Sequence, residues 1–173
     1  MPEFHSECGC PANDGYPQDT IMLVSKLYEL ISIFGASEFI SDNFRSKNAV
    51  ITDPYSLGTF KMFRDIEYCK ISEDLLSIAA IVRNNIDSTY KEGKKFPTVG
   101  SLDQKGKKGD LGFVEACNKI IHANHINFDL SKIDDMYSGF LKPKIYLYGS
   151  FEDKKWKASI NIIDFCKEAD KYI

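Results

Sequence analysis

The sequence lacks three features that would assign it to a class at once: a long apolar run, a signal peptide and an excess of positive charge. No apolar run approaches the ~20 residues that a transmembrane helix needs. Residues 1–18 are polar and have no apolar core of the signal-peptide kind. The formal net charge of -3 argues against nucleic-acid binding over the whole surface but leaves room for a local basic patch. We therefore expect a cytoplasmic protein that does not enter a membrane.

The composition is that of an ordinary folded domain. The chain has 173 residues, of which 43% are hydrophobic and 27% charged, enough for one core and too few for two large domains. We expect a flexible tail at residues 1–18 and a helical bundle at residues 19–142. Residues 143–173 are expected to form a β-hairpin and a short helix that pack on the bundle within the same domain.

The five cysteines fit a cytoplasmic protein. Three of them lie among apolar neighbours and are interpreted as small buried hydrophobes: Cys69, Cys117 and Cys166. Cys8 and Cys10 lie near His5, but their spacing matches no usual zinc pattern and a fourth ligand is lacking. We therefore predict no metal site and no cofactor.

Apolar residues at helical spacing predict four helices in the first half of the chain. The predicted stretches are residues 20–34, 36–44, 53–69 and 72–86. Gly35 is the predicted stop of the first helix, while Asp53, followed by proline, and Ser72 are predicted caps of the last two. The first helix has apolar residues at Val24, Leu27, Tyr28, Ile31 and Phe34.

Residues 92–109 are predicted to form a loop, because they hold four glycines, one proline and five lysines. The lysines could contact phosphates, but a solvated, mobile loop is the favoured interpretation. The segment has no arginine and few aromatic residues, both of which are typical of nucleic-acid-binding segments.

The most regular pattern predicts a helix over residues 110–125, capped by Asp110. Its apolar positions follow the spacing of a buried helix face: Phe113, Ala116, Cys117, Ile120 and Ile121. Its polar positions form a second stripe: Glu115, Asn118, His122 and His125. We expect any activity to lie on this polar stripe.

The pattern changes near the C-terminus, where residues 144–151 and 156–163 alternate and are rich in β-formers. They predict a hairpin with a turn at residues 152–155, followed by a short helix capped by Asp164. Tyr146, Tyr148 and Trp156 could form a partner-binding surface at an exposed hairpin edge, or they could pack on the bundle. The predicted fold is therefore mainly α, a bundle of four or five helices with a C-terminal antiparallel β-hairpin and a short final helix.

His122 is the strongest candidate for chemistry, because a histidine exchanges protons near neutral pH. Asn118 and Glu115 on the same stripe could orient its ring. Three alternatives stay open. His122 could bond to a neighbouring helix, or it could hold a metal with His125 and Glu115. It could also pair with Cys117, although the two side chains would point about 140° apart on one helix.

The run Cys117-Asn118-x-x-x-His122 resembles the signature of the HEPN superfamily, in which an arginine and a polar residue precede a histidine. The resemblance implies a small helical bundle and a metal-independent endoribonuclease, a toxin or defence component, with its site formed across a homodimer. His122 would then handle the proton of the RNA 2′-hydroxyl or of the leaving group, and Asn118 would hold the geometry.

Cys117 stands where that family has its arginine, and a thiol cannot neutralise a phosphate as a guanidinium does. Arg83 and Lys119 are the candidates to supply the missing charge. We therefore carry two hypotheses. The first is a non-catalytic, HEPN-like module that dimerises or binds a protein partner, RNA or a nucleotide, and the second is a metal-independent ribonuclease that uses His122 and Asn118. The substitution at Cys117 slightly favours the first.

Overall fold

The computed structural model describes residues 18–44, 58–89, 96–104, 106–134, 137–152 and 154–172. These residues form four α-helices, one terminal turn of 3-10 helix and five strands. In chain order the elements are α1 (Gln18–Phe44), α2 (Gly58–Thr89), β1 (Thr98–Gln104), β2 (Lys107–Gly112), α3 (Phe113–Ile121), β3 (His125–Asp134), β4 (Tyr137–Phe151), β5 (Lys154–Asn161), α4 (Ile162–Ala169) and the 3-10 turn Asp170–Tyr172.

The fold is α+β, so the prediction of a mainly helical bundle with one hairpin is wrong. Two strands, β1 and β2, occupy most of the segment predicted as the loop 92–109. Their alternation is hard to see in the sequence, because β2 buries only Leu111 and β1 fully buries only Val99. The turn between them uses Gly106, whose φ of 74° lies in the left-handed region that glycine adopts without strain.

The sequence predicts four helices in the first half of the chain, and the structure has two long ones there, α1 and α2. Gly35 lies inside α1 instead of ending it, at a cost of about 1 kcal/mol relative to alanine. Ser72 lies inside α2, where its hydroxyl donates to the Tyr68 carbonyl at 2.8 Å instead of capping a new helix. The predicted cap at Asp53 lies outside the described residues, as do residues 1–17 of the predicted tail 1–18, whose last residue, Gln18, begins α1.

All strands pair antiparallel in the order β2-β1-β5-β4-β3. Strands β4 and β5 overlap the predicted hairpin, but they are interior strands with neighbours on both sides. The inner face of the sheet carries the buried apolar side chains, which pack against the helices: Leu111, Leu141, Ile145, Leu147, Trp156, Ala158 and Ile160. The opposite side chains define what we call the outer face.

The last helix begins one turn earlier than its predicted cap. Asn161 is the N-cap of α4, and its side-chain oxygen accepts from the backbone N–H of Ile163 and Asp164 at 3.0 and 3.2 Å. Asp164 is therefore a first-turn residue, where its charge complements the helix dipole. This cap turns the chain from β5 directly into a helix on the inner face.

Helix α1 is long and apolar enough, by length and composition alone, to cross a membrane. A core helix of a folded domain passes the same test. Lys26 on α1 forms an ion pair with the buried Asp74 of α2 at 2.9 Å, so α1 and α2 are joined by charge as well as by apolar packing.

Candidate functional site

The helix predicted over residues 110–125 is α3 in the structure, and it is shorter than predicted at both ends. Asp110 lies in β2, and Gly112 takes the N-cap position of α3 without a side-chain hydrogen bond. His122 is the C-cap residue, with φ -105° and ψ 13°, and His125 begins β3. Only Glu115 and Asn118 of the predicted polar stripe therefore lie on the helix itself. The chain leaves the helix at His122 because Tyr148 of β4 accepts the backbone N–H of Asn124 at 2.8 Å and starts the β3–β4 ladder.

Cys117 is fully buried in the core, which confirms the interpretation of its position on the apolar face. Burial raises the pKa of its thiol to about 12, although the charge of Arg83 acts in the opposite direction. The thiol is therefore protonated at neutral pH and is a poor nucleophile. Cys166 is buried as predicted, with its pKa raised to about 12 by burial, whereas Cys69 is exposed and its predicted burial is wrong.

The two residues proposed to replace the family arginine lie in different surroundings. Arg83 of α2 is half-buried and close enough to Cys117 for its charge to act on the thiol, so it lies beside the helix that carries Asn118. Lys119 lies over the ring of Trp156, with its Nζ 4.7 Å from the ring centroid, and 3.9 Å from Glu115 Oε1. Of the two, Arg83 is the one whose charge acts on the residue at the position of the signature arginine.

The histidines of the predicted stripe are separated by the end of the helix. His122 is exposed at the helix terminus, and His125 is exposed on the outer face of the sheet. The His125 ring bonds through Nε2 to Asn127 Oδ1 at 2.8 Å. Among the described residues, no three His, Cys, Asp or Glu side chains are grouped closely enough to hold a metal ion.

A second set of residues, which the sequence did not bring together, lies on the outer face. Cross-strand pairing places His125 of β3 opposite Tyr148 of β4, and Tyr148 opposite Lys157 of β5. The next row places Asn127 opposite Tyr146 in the same way. Three rings thus stand on adjacent strands, with the centroids of His125 and Tyr148 6.0 Å apart.

Lysines lie over these tyrosine rings. Lys157 Nζ is 4.9 Å from the centroid of Tyr146 and 5.4 Å from that of Tyr148, and Lys144 Nζ is 5.3 Å from Tyr146. Residues 144–151 and 154–161 contain four lysines and no acidic residue. Of these lysines, Lys154 falls in an inner-face position opposite Phe151, and Asp103 of β1 stands opposite Lys157 on the outer face. The centre of the outer face is therefore aromatic and rich in lysine, with one carboxylate beside Lys157.

Two of the lysines predicted in a loop lie on the edge strand β2. The register places Lys108 in the row of Lys157 on the outer face and Lys107 in the row of Trp156 on the inner face. Lys107 and Lys108 of β2 line a cleft of about 610 Å³ together with Lys154 of β5 and the exposed Phe151. Asp110 is also part of the lining, so the cleft is not uniformly basic.

The sequence named part of this surface and misplaced the rest. Tyr146 and Tyr148 were singled out with Trp156 at a presumed hairpin edge. Trp156 instead points to the inner face and is only 4% exposed, and the edge prediction is wrong because β4 and β5 are interior strands. His125 belongs to the predicted polar stripe, but its assignment to a helix is wrong because it begins β3. The alternation of His125 with Asn127 is the sequence signal that indicates a strand.

Comparison of the chain with protein-family models, with curated proteins and with solved structures finds no match in any of the three. The resemblance of the Cys117-Asn118-x-x-x-His122 run to the HEPN signature therefore stays a prediction.

Proposed function

We propose that this chain is a non-catalytic binding module that holds single-stranded RNA across the outer face of its sheet. The observation that carries the proposal is the group of three rings on β3 and β4, those of His125, Tyr148 and Tyr146. Lys144 lies over the ring of Tyr146, and Lys157 lies over both tyrosine rings. Accessible aromatic rings and cations occur together in this way on surfaces that stack unpaired bases and neutralise their phosphates.

The spacing of the rings suits an extended strand. Tyr146 and Tyr148 project from one face of one strand, so their Cα atoms are about 7 Å apart. Successive nucleotides of an extended single strand are separated by a comparable distance. One base can therefore stack on each ring, while Asn127 and the paired hydroxyls of Ser101 and Ser159, 2.9 Å apart, offer hydrogen bonds to base edges or to 2′-hydroxyls.

The lysines of the outer face have a role both in the free protein and in the protein with RNA bound. In the free protein their ammonium groups lie over the faces of the tyrosine rings, an arrangement that stabilises the cross-strand pairs. When a base takes the ring face, Lys157 can move by rotation of its side chain toward the phosphate that follows the base. Binding is therefore expected to weaken with added salt.

The test measures anisotropy of a fluorescent, unstructured oligoribonucleotide at several salt concentrations. Stacking contributes roughly 1–3 kcal/mol per base, so Tyr148→Ala or Tyr146→Ala should weaken binding about tenfold each. The matched Tyr→Phe variants keep the ring and should bind nearly as tightly as the wild type.

Lys157→Ala should reduce the slope of log K against log salt by about 0.7, whereas Lys61→Ala, which removes an exposed lysine on α2, should not change it. Failure of the wild type to bind, or equal binding by the Tyr→Ala variants, would contradict the proposal.

The second candidate is the metal-independent ribonuclease, and the position of Arg83 favours it. The charge of Arg83 reaches Cys117 on the helix of Asn118, and His122 is exposed at the end of that helix, so the two would provide the charge and the proton-transfer group that the signature requires. The test incubates structured RNA with the purified chain in EDTA, beside His122→Ala and Arg83→Gln variants. Equal RNA integrity in the three samples would exclude this activity. A loss of cleavage in both variants would support it, since neither residue lies on the outer face.

A further inference from the structure

Strand β2 forms one edge of the sheet, and within the described residues it pairs with β1 alone. From Lys107 to Leu111 its register with β1 is regular, each residue facing one residue of the stretch from Gln104 to Gly100. In an antiparallel pair, every second residue directs its N–H and C=O groups away from the partner strand. The free side of β2 therefore offers a regular row of backbone groups to which a further strand can bind.

The other edge strand, β3, is less suited to such an addition. Its pairing with β4 shifts register three times between Phe128 and Asp134. Irregularities of this kind interrupt the row of hydrogen-bonding groups and are a common protection of sheet edges. The pairing of β2 with β1 has its one shift at the far end, between Thr98 and Gly100 of β1. Of the two edges, β2 is therefore the one that can accept another strand.

The inner face has an open position at Gly109 of β2. Cross-strand pairing forms an apolar row from Leu147 through Ala158 and Leu102 to Gly109. Leu147 and Ala158 are buried, whereas Leu102 is half-buried. A Cβ added at Gly109 would meet no described atom within 4 Å. An apolar side chain on an added strand can therefore reach over Gly109 and cover Leu102.

Three lysines lie around this open position. Lys107 and Lys108 directly precede Gly109 and are exposed. Lys154 of β5 lines the same cleft of about 610 Å³, and Asp110 is the one acidic residue among the described lining residues. Three ammonium groups beside one carboxylate favour an acidic partner. Lysines on a sheet edge also disfavour the addition of an apolar or basic strand, because such a strand would bury their charges without a counter-ion.

We propose that the free edge of β2 binds an extended acidic segment of a partner protein as an added antiparallel strand. Side chains of a strand alternate between its two faces, so acidic residues of the segment would lie opposite Lys107 and Lys108, and an apolar residue opposite Gly109. Backbone hydrogen bonds would hold the segment, and these three positions would select its side chains. A peptide fits the edge better than RNA does, because a sugar-phosphate backbone has no row of N–H and C=O groups. The proposal is independent of RNA binding on the outer face.

The experiment measures the fluorescence anisotropy of the labelled peptide Thr-Val-Thr-Val-Glu-Glu-Thr as the full chain is added. In an antiparallel strand this order places the two glutamates opposite Lys108 and Lys107 and the second valine opposite Gly109. A peptide with lysine in place of both glutamates should not bind. A peptide N-methylated at its third and fourth residues keeps every side chain but loses at least one N–H that faces β2, because N–H directions alternate along a strand. It should bind about tenfold more weakly or worse.

Variants of the chain test the same contacts from the protein side. Lys107→Glu/Lys108→Glu should weaken peptide binding about tenfold, because two attractive pairs become repulsive. Both lysines are exposed, so the unfolding midpoint in urea should stay at the wild-type value. Lys61→Glu, which reverses an exposed charge on α2, is the matched control and should bind as the wild type does. Gly109→Leu should also weaken binding about tenfold, because the new side chain occupies the position over Leu102.

Several results would overturn the proposal. One is a wild type that does not bind the peptide below about 1 mM, and another is equal binding of the N-methylated peptide, which would indicate attraction by charge alone. Displacement of the peptide by an oligoribonucleotide would assign the cleft to RNA. Self-association of the wild type in sedimentation that Gly109→Leu abolishes would assign the edge to a second copy. Tyr148→Ala should bind the peptide as the wild type does, so failure of the RNA proposal and failure of this one are distinguishable.

Discussion

Asp74 is the most completely buried ionised group among the described ion pairs. Its side chain is 0% exposed, and it receives the ammonium groups of Lys26 at 2.9 Å and Lys70 at 3.4 Å. A buried carboxylate of this kind persists only when cations compensate for its lost hydration. The pairing orients α1 against α2, since Lys26 and Asp74 lie on different helices.

Asp74→Asn is therefore expected to lower the free energy of unfolding by about 3 kcal/mol, because Lys26 and Lys70 lose their shared partner. Equilibrium unfolding in urea measures the change. Asp65→Asn is the control, since Asp65 pairs with Lys61 at 3.1 Å but is 59% exposed, and we expect less than about 0.5 kcal/mol there. Similar losses in the two variants would show that the burial of Asp74 has no special importance.

The cysteines provide a prediction about chemical reactivity. Iodoacetamide at neutral pH should label the exposed Cys69 and spare Cys117 and Cys166, whose thiols are buried and have pKa values raised to about 12. Mass spectrometry of the digested protein measures the labelling of each peptide. Unfolding in urea should make all three thiols react, which controls for peptide recovery. Labelling of Cys117 in the folded protein would mean that α3 opens readily.

In strand β4, a glycine leaves room for a large side chain of the neighbouring strand β5. Gly149 pairs with Trp156 of β5, and the indole ring occupies the space where a side chain of residue 149 would stand. A Cβ at this position would lie 2.2 Å from Trp156 Cζ2. Lys119 of α3 covers the same ring from the helix side, so the indole is held between two elements.

Gly149→Ala should destabilise the fold by about 2 kcal/mol, because neither the ring nor the backbone of β4 can move without disturbing this packing. Thermal and urea unfolding measure the loss. The fluorescence of the single tryptophan should change as well. Gly109→Ala is the matched control in β2, where an added Cβ meets no described atom within 4 Å. Unchanged stability in Gly149→Ala would mean that the indole has another position available.

At the scale of the whole molecule, one polar cluster joins the helices to the sheet. Arg64 of α2 donates to the Gly139 carbonyl of β4 at 2.8 Å and lies 3.3 Å from Glu67 Oε2. The Ser37 hydroxyl of α1 accepts from the backbone N–H of Leu141 at 2.9 Å and from Arg64 at 3.4 Å. The cluster is buried, so its charge state contributes to the stability of the assembled fold.

This cluster predicts a pH dependence. Burial raises the pKa of Glu67 above its ordinary value of 4.5, while Arg64 and Ser37 act to lower it. Because the folded pKa is the higher one, the folded state binds the proton more tightly than the unfolded chain does. The resulting stabilisation is complete below the unfolded pKa and is lost as pH rises through the raised folded pKa.

The measurement compares the wild type with Glu67→Gln, which stays neutral, by urea unfolding between pH 4.5 and neutrality. The stability of the wild type relative to the variant should be greatest at the acidic end and should decline as pH rises. A difference that stays constant, or that grows with pH, would contradict the assigned direction of the Glu67 shift.

Local periodicity alone identified several features of this protein. It identified helix in residues 20–34 and 72–86, the alternation in β4 and β5, and the burial of Cys117 and Cys166, because these patterns repeat within a few residues of themselves. The resemblance to the HEPN signature named Arg83 as a candidate for the missing charge, and only the tertiary structure brings that charge near the Cys117 thiol.

The tertiary structure alone decided the fold class and the arrangement of the outer face. Strands β1 and β2 form because β5 supplies hydrogen bonds to β1 from residues more than fifty positions away. A weak alternation of apolar and polar residues is therefore enough for these two strands to form. His125 joins Tyr148 because the β3–β4 ladder ends α3 at His122. Long-range pairing of this kind leaves no periodic mark in a sequence, whereas the burial of one side of a helix does.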